Sequence, residues 1–148
     1  MLNRPTILRS AAGADGADGG APAPAGGRAE PGQLDPLALH RLHELDPQGK
    51  GKLFERVVQA FNTSTSRLLP QLRTAGQAGD LNGVRHVAHT LKSSSASLGA
   101  TRLSTLCADL EHQMRGGIDA DVDRQIEQIA GEIALVLKVL NVMTERAE

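Results

Sequence analysis

LNGVRHVAHTLKSSSASL, residues 81–98, is the stretch that decides the fold of this chain. Its apolar side chains recur every three or four positions, which is the spacing of a helix with one apolar face. That face holds Val84, Val87, Ala88, Leu91, Ser95 and Leu98. Asp80 precedes the segment as a capping residue, and Gly99 follows it as a typical C-terminal glycine. The stretch therefore predicts a helix over 81–98 with one buried face.

Other segments show the same helical period, and no segment shows the alternation of a strand. They lie at about 36–45, 50–77, 100–115 and 119–145. Pro70 lies inside the second of these, where it crowds the preceding turn, so that segment is either one bent helix or two helices, and we favour one. Short connections make successive helices antiparallel neighbours. The sequence therefore predicts an all-α fold, an antiparallel four-helix bundle with a short additional N-terminal helix.

The first 33 residues differ from the rest of the chain. Residues 11–32 read AAGADGADGGAPAPAGGRAEPG, almost wholly Ala, Gly, Pro and Asp. Such a composition buries too little apolar surface to offset the entropy lost on ordering. We predict a disordered tail over 1–33 and a helical domain over 34–148.

Composition argues against several classes of function. The formal net charge is −1 and the chain has no Trp or Tyr, which disfavours binding to nucleic acid. No apolar run approaches the ~20 residues that span a bilayer, and the N-terminus lacks a secretory signal, so we expect a cytoplasmic protein without membrane contact. Cys107, the single cysteine, excludes an internal disulfide and falls on an apolar helix face, as expected of a buried structural thiol.

His89 is the candidate functional residue. Helical geometry turns it about 150° away from the centre of the apolar face, toward solvent. Arg85 and Lys92 lie on its side of the helix, as do the small residues Ser93 and Ala96. Neutral imidazole is a nucleophile, cations favour an added phosphoryl group, and small neighbours leave space for a partner protein. This pattern makes His89 a candidate site for phosphoryl chemistry, with these four residues as its supporting neighbours.

The histidines also allow other interpretations. His86, one turn earlier, is also outward and is a rival site in principle. The pairs His86/His89 and His40/His43 have a spacing that suits metal ligands. The sequence shows no third ligand near either pair, so no metal site is expected. An exposed helical histidine is also compatible with a purely solvated role.

The run Ala88 to Ala100, AHTLKSSSASLGA, resembles the signature of histidine-containing phosphotransfer (HPt) domains. The resemblance continues through Leu103, Cys107, Leu110 and Glu111. It implies a helical bundle with a surface phosphohistidine at His89 and an accompanying cation at Lys92. Ser93 stands where many members have glycine. To Glu111 we assign local pairing and no chemistry.

The resemblance also implies the partners, which are response-regulator receiver domains and hybrid histidine kinases. We therefore interpret the protein as a phosphorelay carrier of two-component signalling that exchanges a phosphoryl group with aspartates of receivers. The alternative is a helical binding module that docks on a receiver or kinase without phosphate chemistry. A complete kinase is disfavoured because no glycine-rich phosphate loop is present. We expect a monomer without a cofactor, with Mg²⁺ on the partner receiver alone.

Overall fold

The structure is a computed structural model that describes residues 30–147, and over that range it contains five helices and no strand. The helices are α1 (Pro36–Leu45), α2 (Leu53–Gln77), α3 (Leu81–Leu98), α4 (Thr101–Arg115) and α5 (Val122–Ala147). The predicted all-α class is confirmed, and α2 is one helix with Pro70 inside it. Within the same range, no helix is long and apolar enough to cross a membrane.

The four long helices form a closed ring of neighbours. α3 packs on α4 most extensively, α2 packs on both α3 and α5, and α4 closes the ring against α5. The short α1 lies against α2 and α3. Consecutive helices joined by short loops are thus antiparallel neighbours, as a four-helix bundle requires.

The apolar face predicted for α3 is the buried one. Its buried residues are Val84, Val87, Ala88, Leu91, Ser95 and Leu98. Ser95 is accommodated because its hydroxyl donates to the carbonyl of Leu91 at 2.6 Å. Since this face fills the core, the opposite face of α3, which carries His89, points out of the bundle.

Side chains near the helix starts determine where the helices begin. Asp80 accepts a hydrogen bond from the backbone N–H of Gly83 at 3.0 Å, so the predicted cap of α3 is present. α2 begins at Leu53 rather than near 50, because the Asp46 carboxylate holds the N–H groups of Gly51 and Leu53 in the preceding loop. The start predicted for α5 near 119 is also too early.

The loop before α5 is held by a side chain of α4. The Gln113 amide donates to the carbonyls of Ile118 and Ala120, at 3.0 and 2.7 Å. These carbonyls are therefore bound in a loop conformation, and the helix begins at Val122.

The segment just before α1 differs from its prediction. The sequence predicts a disordered tail that extends to residue 33, but Gly32 is buried and donates its N–H to Glu132 Oε2 at 2.6 Å. Arg102 Nε lies 3.4 Å from the other oxygen of this buried carboxylate. A buried carboxylate needs such donors, and this need places the turn against α5. Residues 1–29 of the predicted tail lie outside the described residues.

Gly99→Ala is expected to destabilise the fold more than Gly117→Ala. Both glycines have positive φ, +76° and +71°. A Cβ at Gly99 would meet Ala38 Cβ at 2.8 Å and the backbone nitrogen of Asp35 at 3.0 Å, whereas one at Gly117 would meet nothing within 4 Å. We expect a loss of about 1 kcal/mol in the free energy of unfolding for Gly117→Ala, and about 1–3 kcal/mol more for Gly99→Ala. Urea denaturation measures both, and equal losses would contradict this packing of α1 on α3.

Candidate functional site

His89 lies on the outward face of α3, at the edge that adjoins α4. Its side chain is 55% exposed, and its Nδ1 lies 2.9 Å from Glu111 Oε2. Because α3 and α4 are antiparallel and joined by a short turn at Gly99, a residue near the middle of α3 meets one in the C-terminal half of α4. The outward orientation predicted for His89 is thus observed, with one ring nitrogen bound and the ring half exposed.

Glu111 is the residue that the sequence reasoning undervalued. The sequence predicts only local pairing for Glu111, but its side chain, 3% exposed, lies at the centre of the site. Oε1 lies 2.6 Å from Lys92 Nζ. Oε2 accepts from Arg115 Nη2 at 2.9 Å in addition to its contact with His89. A histidine and two cations therefore converge on one buried carboxylate.

A signal for Glu111 was present in the sequence. On α4 the buried apolar residues include Leu103, Cys107, Leu110 and Met114. Glu111 falls about 70° from the centre of that stripe, at its edge, by the turn of 100° per residue. A carboxylate at the edge of a buried face needs a partner from the neighbouring helix. Arg115, four residues later on the same helix face, follows from the same geometry.

The neighbours of Glu111 keep it ionised. The hydrogen bond from Lys92 is the largest influence lowering the pKa of Glu111 below its ordinary value of 4.5. Burial acts in the opposite direction, and the His89 hydrogen bond and the charge of Arg115 lower the pKa further. Donors from two helices thus outweigh the desolvation of this carboxylate.

An ionised carboxylate determines the tautomer of the ring. It has no proton to give, so Nδ1 of His89 is the donor in the contact with Glu111. In a neutral imidazole the other nitrogen, Nε2, then carries the lone pair. Across residues 30–147, no group hydrogen-bonds to this nitrogen. The arrangement presents a free nucleophilic nitrogen on an exposed ring.

The other predicted site residues are only partly brought to this cluster. Lys92 reaches it through Glu111, whereas Arg85 is half-buried with no carboxylate in ion-pair range among the residues described. Ser93 and Ala96 are exposed on the same side of α3. His86 is exposed as well, and its ring makes no hydrogen bond within the described part of the chain.

Two further sequence predictions concern metals and thiols. Over residues 30–147 no group of three or more potential ligands is arranged to hold a metal ion. Cys107 is buried, as predicted, and burial raises the pKa of its thiol to about 12. A thiol with that pKa is unreactive at neutral pH.

Glu111→Gln is expected to flatten the acid dependence of stability. Because the folded-state pKa of Glu111 is lowered, its ionisation stabilises the fold above about pH 4.5, and this contribution is lost as the pH falls through the lowered value. Wild type should therefore lose free energy of unfolding below pH 4.5 more steeply than the variant, measured by denaturation across pH.

Glu127→Gln is the matched control for that measurement. Arg73 also lowers the pKa of Glu127, but this carboxylate is 61% exposed, so solvent screens the pair. We expect the control to follow wild type closely. Parallel curves for wild type and Glu111→Gln would show that the buried pairing of Glu111 contributes no pH-dependent stability.

Comparison with known proteins places this geometry in a family. The model of the Hpt domain family matches residues 56–139, more than half of the 148 residues. The crystal structure of histidine-containing phosphotransfer protein B (HptB) from Pseudomonas aeruginosa PAO1 is similar, with 30% identity and a TM-score of 0.70. The match covers 76% of this chain and 95% of that one. A search of curated proteins finds no significant match. The chain belongs to the Hpt domain family, the histidine phosphotransfer carriers of two-component phosphorelays.

Proposed function

We propose that His89 carries the phosphoryl group, on Nε2, and exchanges it with aspartates of response-regulator receiver domains, including those of hybrid histidine kinases. The observation that carries this proposal is the 2.9 Å contact between His89 Nδ1 and the buried carboxylate of Glu111. It leaves Nε2 as the free nucleophile on an exposed ring, within the segment that matches the family.

The transfer step follows from this geometry. The Nε2 lone pair attacks the phosphorus of a phospho-aspartate, an N–P bond forms, the P–O bond to the aspartate breaks, and the aspartate carboxylate leaves. The ring gains positive charge, which it shares with Nδ1–H. Glu111 accepts the hydrogen bond from Nδ1–H and stabilises that charge without needing to move. In the reverse direction the charged ring is a good leaving group, so the bond stays labile.

The charges around the ring favour a dianionic phosphoryl group. Lys92 and Arg115 together carry two positive charges, whereas Glu111 carries one negative charge. The cluster is thus net positive beside the nucleophile, and Arg85 adds a further cation four residues before it. Attraction between this surface and a phosphorylated receiver also favours encounter.

The partner supplies what the carrier lacks. Phosphoryl transfer depends mainly on positioning and on Mg²⁺, and we place the metal ion on the receiver. Ser93 and Ala96 are exposed, and their small side chains leave room for the receiver's loops to approach His89. In this proposal the carrier takes its phosphoryl group from a partner protein and not from ATP, and it acts as a monomer.

His89→Gln is expected to abolish phosphorylation by a receiver, because it removes the nucleophile. Receiver domains of the source organism are loaded with radioactive phosphate and mixed with the purified full chain. His86→Gln is the matched control, since His86 is exposed one turn earlier on the same helix, and it should label like wild type. Undiminished labelling of His89→Gln would contradict the proposal. Receiver binding without transfer to wild type would favour a binding module.

Glu111→Gln should lower the transfer rate while His89 stays present. The amide has the size of the carboxylate but no negative charge to stabilise the charged ring. We expect a fall of at least about tenfold, by analogy with the lower end of losses seen when a group that orients a metal-bound histidine is changed. Quantified labelling over time measures it, with Glu127→Gln as the control. An unchanged rate would mean that Glu111 serves stability alone.

A further inference from the structure

We propose that Arg115 is a positioning residue for phosphoryl transfer, which acts on His89 through the Glu111 carboxylate. This inference rests on the proposed role of His89. It assigns a function to a residue that the sequence analysis did not select.

The inference starts from how the two oxygens of Glu111 are shared. Lys92, on α3, is bound to Oε1, whereas Arg115, on α4, donates to Oε2. Oε2 is also the oxygen that contacts His89 Nδ1, and both of its distances are 2.9 Å. Arg115 therefore binds the atom that orients the imidazole.

This sharing fixes the plane of the carboxylate. The terminal torsion of a glutamate is broad, so the carboxylate plane is poorly defined by the side chain itself. Lys92 alone would hold one oxygen and leave the other to pivot. Arg115 is a second charged donor, which binds the other oxygen from α4. It aims Oε2 at Nδ1 of His89. The orientation of the His89 ring depends in turn on that oxygen.

Arg115 also helps to keep the ring proton on Nδ1. Its charge is among the influences that lower the pKa of Glu111. A carboxylate that holds protons weakly leaves the shared proton on the imidazole, and Nε2 keeps its lone pair. Arg115 thus supports both the direction of the hydrogen bond and the tautomer of the ring.

A direct contact between Arg115 and the receiver would make a different prediction from a positioning role. Its side chain is 58% exposed at the last position of α4, so it contributes little to the core. An arginine so exposed is also accessible to a receiver. A receiver contact affects only transfer from receivers, whereas a positioning role also affects phosphorylation by a small donor.

The first test uses phosphoramidate as the donor and the full chain as the acceptor. In this reaction the P–N bond of phosphoramidate breaks, a bond from phosphorus to Nε2 forms, and ammonia leaves. We expect Arg115→Met to slow phosphorylation of His89 by about fivefold, the order expected for one charge-assisted hydrogen bond that solvent partly screens. Arg115→Lys retains the charge and should recover part of the rate. Arg124→Met is the control, because Arg124 is similarly exposed and pairs with Asp121.

The second test measures the tautomer directly. Nitrogen NMR of the labelled protein reports which ring nitrogen of His89 carries the proton. Arg115→Met should shift the ring from nearly pure Nδ1–H toward a mixture, while Arg124→Met leaves it unchanged. A rate or tautomer in Arg115→Met equal to that of wild type would overturn the inference.

A double variant decides whether Arg115 acts through Glu111. If it does, adding Arg115→Met to Glu111→Gln slows phosphorylation no further, because the carboxylate through which Arg115 acts is already absent. A full additional fivefold loss would overturn the inference. His89→Gln runs alongside, and its continued labelling by phosphoramidate at the wild-type rate would defeat the proposed function itself. If Arg115→Met is phosphorylated at the wild-type rate and His89→Gln is not phosphorylated, only the role of Arg115 is overturned.

Discussion

The site depends on keeping one carboxylate, that of Glu111, charged between α3 and α4. Burying a lone carboxylate costs several kcal/mol, which folding tolerates only when hydrogen-bonded counter-charges compensate. Lys92 and Arg115 supply those charges, and His89 supplies a third donor. The same ion pairs that make the carboxylate tolerable fix its geometry. The contacts that stabilise the carboxylate are therefore also the contacts of His89, and they join α3 to α4 at this histidine.

The bundle gives this cluster its rigid support. The apolar face of α3 is buried along its whole length, so the helix has little freedom to rotate about its axis. The outward position of His89 is then a consequence of core packing. α4, which packs on α3 more extensively than any other helix, brings Glu111 within hydrogen-bond distance. The exposed imidazole is thereby oriented by a buried carboxylate.

Much of this architecture follows from local pattern. The 3.6-residue period predicts the buried face of α3 and the orientation of His89, and residue type predicts the caps Asp80 and Gly99, because each depends on residues of one helix. The role of Glu111 and the contribution of Arg115 depend on which faces two helices turn toward each other, and a single helical period does not contain that information. The same holds for Gly32, whose place is set by Glu132, a hundred positions away in the sequence. The helices α2 and α5 begin later than their sequence pattern predicts, because the side chains of Asp46 and Gln113 bind backbone groups of the preceding loops.

The central claim is that phosphorylation occurs on one particular nitrogen, Nε2 of His89. The most direct measurement is nitrogen and phosphorus NMR of the phosphorylated, isotope-labelled protein, with the modified residue located by mass spectrometry under conditions that preserve the N–P bond. We predict phosphorus bonded to Nε2 of His89 and a proton on Nδ1 that stays hydrogen-bonded to Glu111. Phosphorus on Nδ1, or on another histidine, would contradict it, since the Glu111 contact would then have no part in selecting the nucleophile.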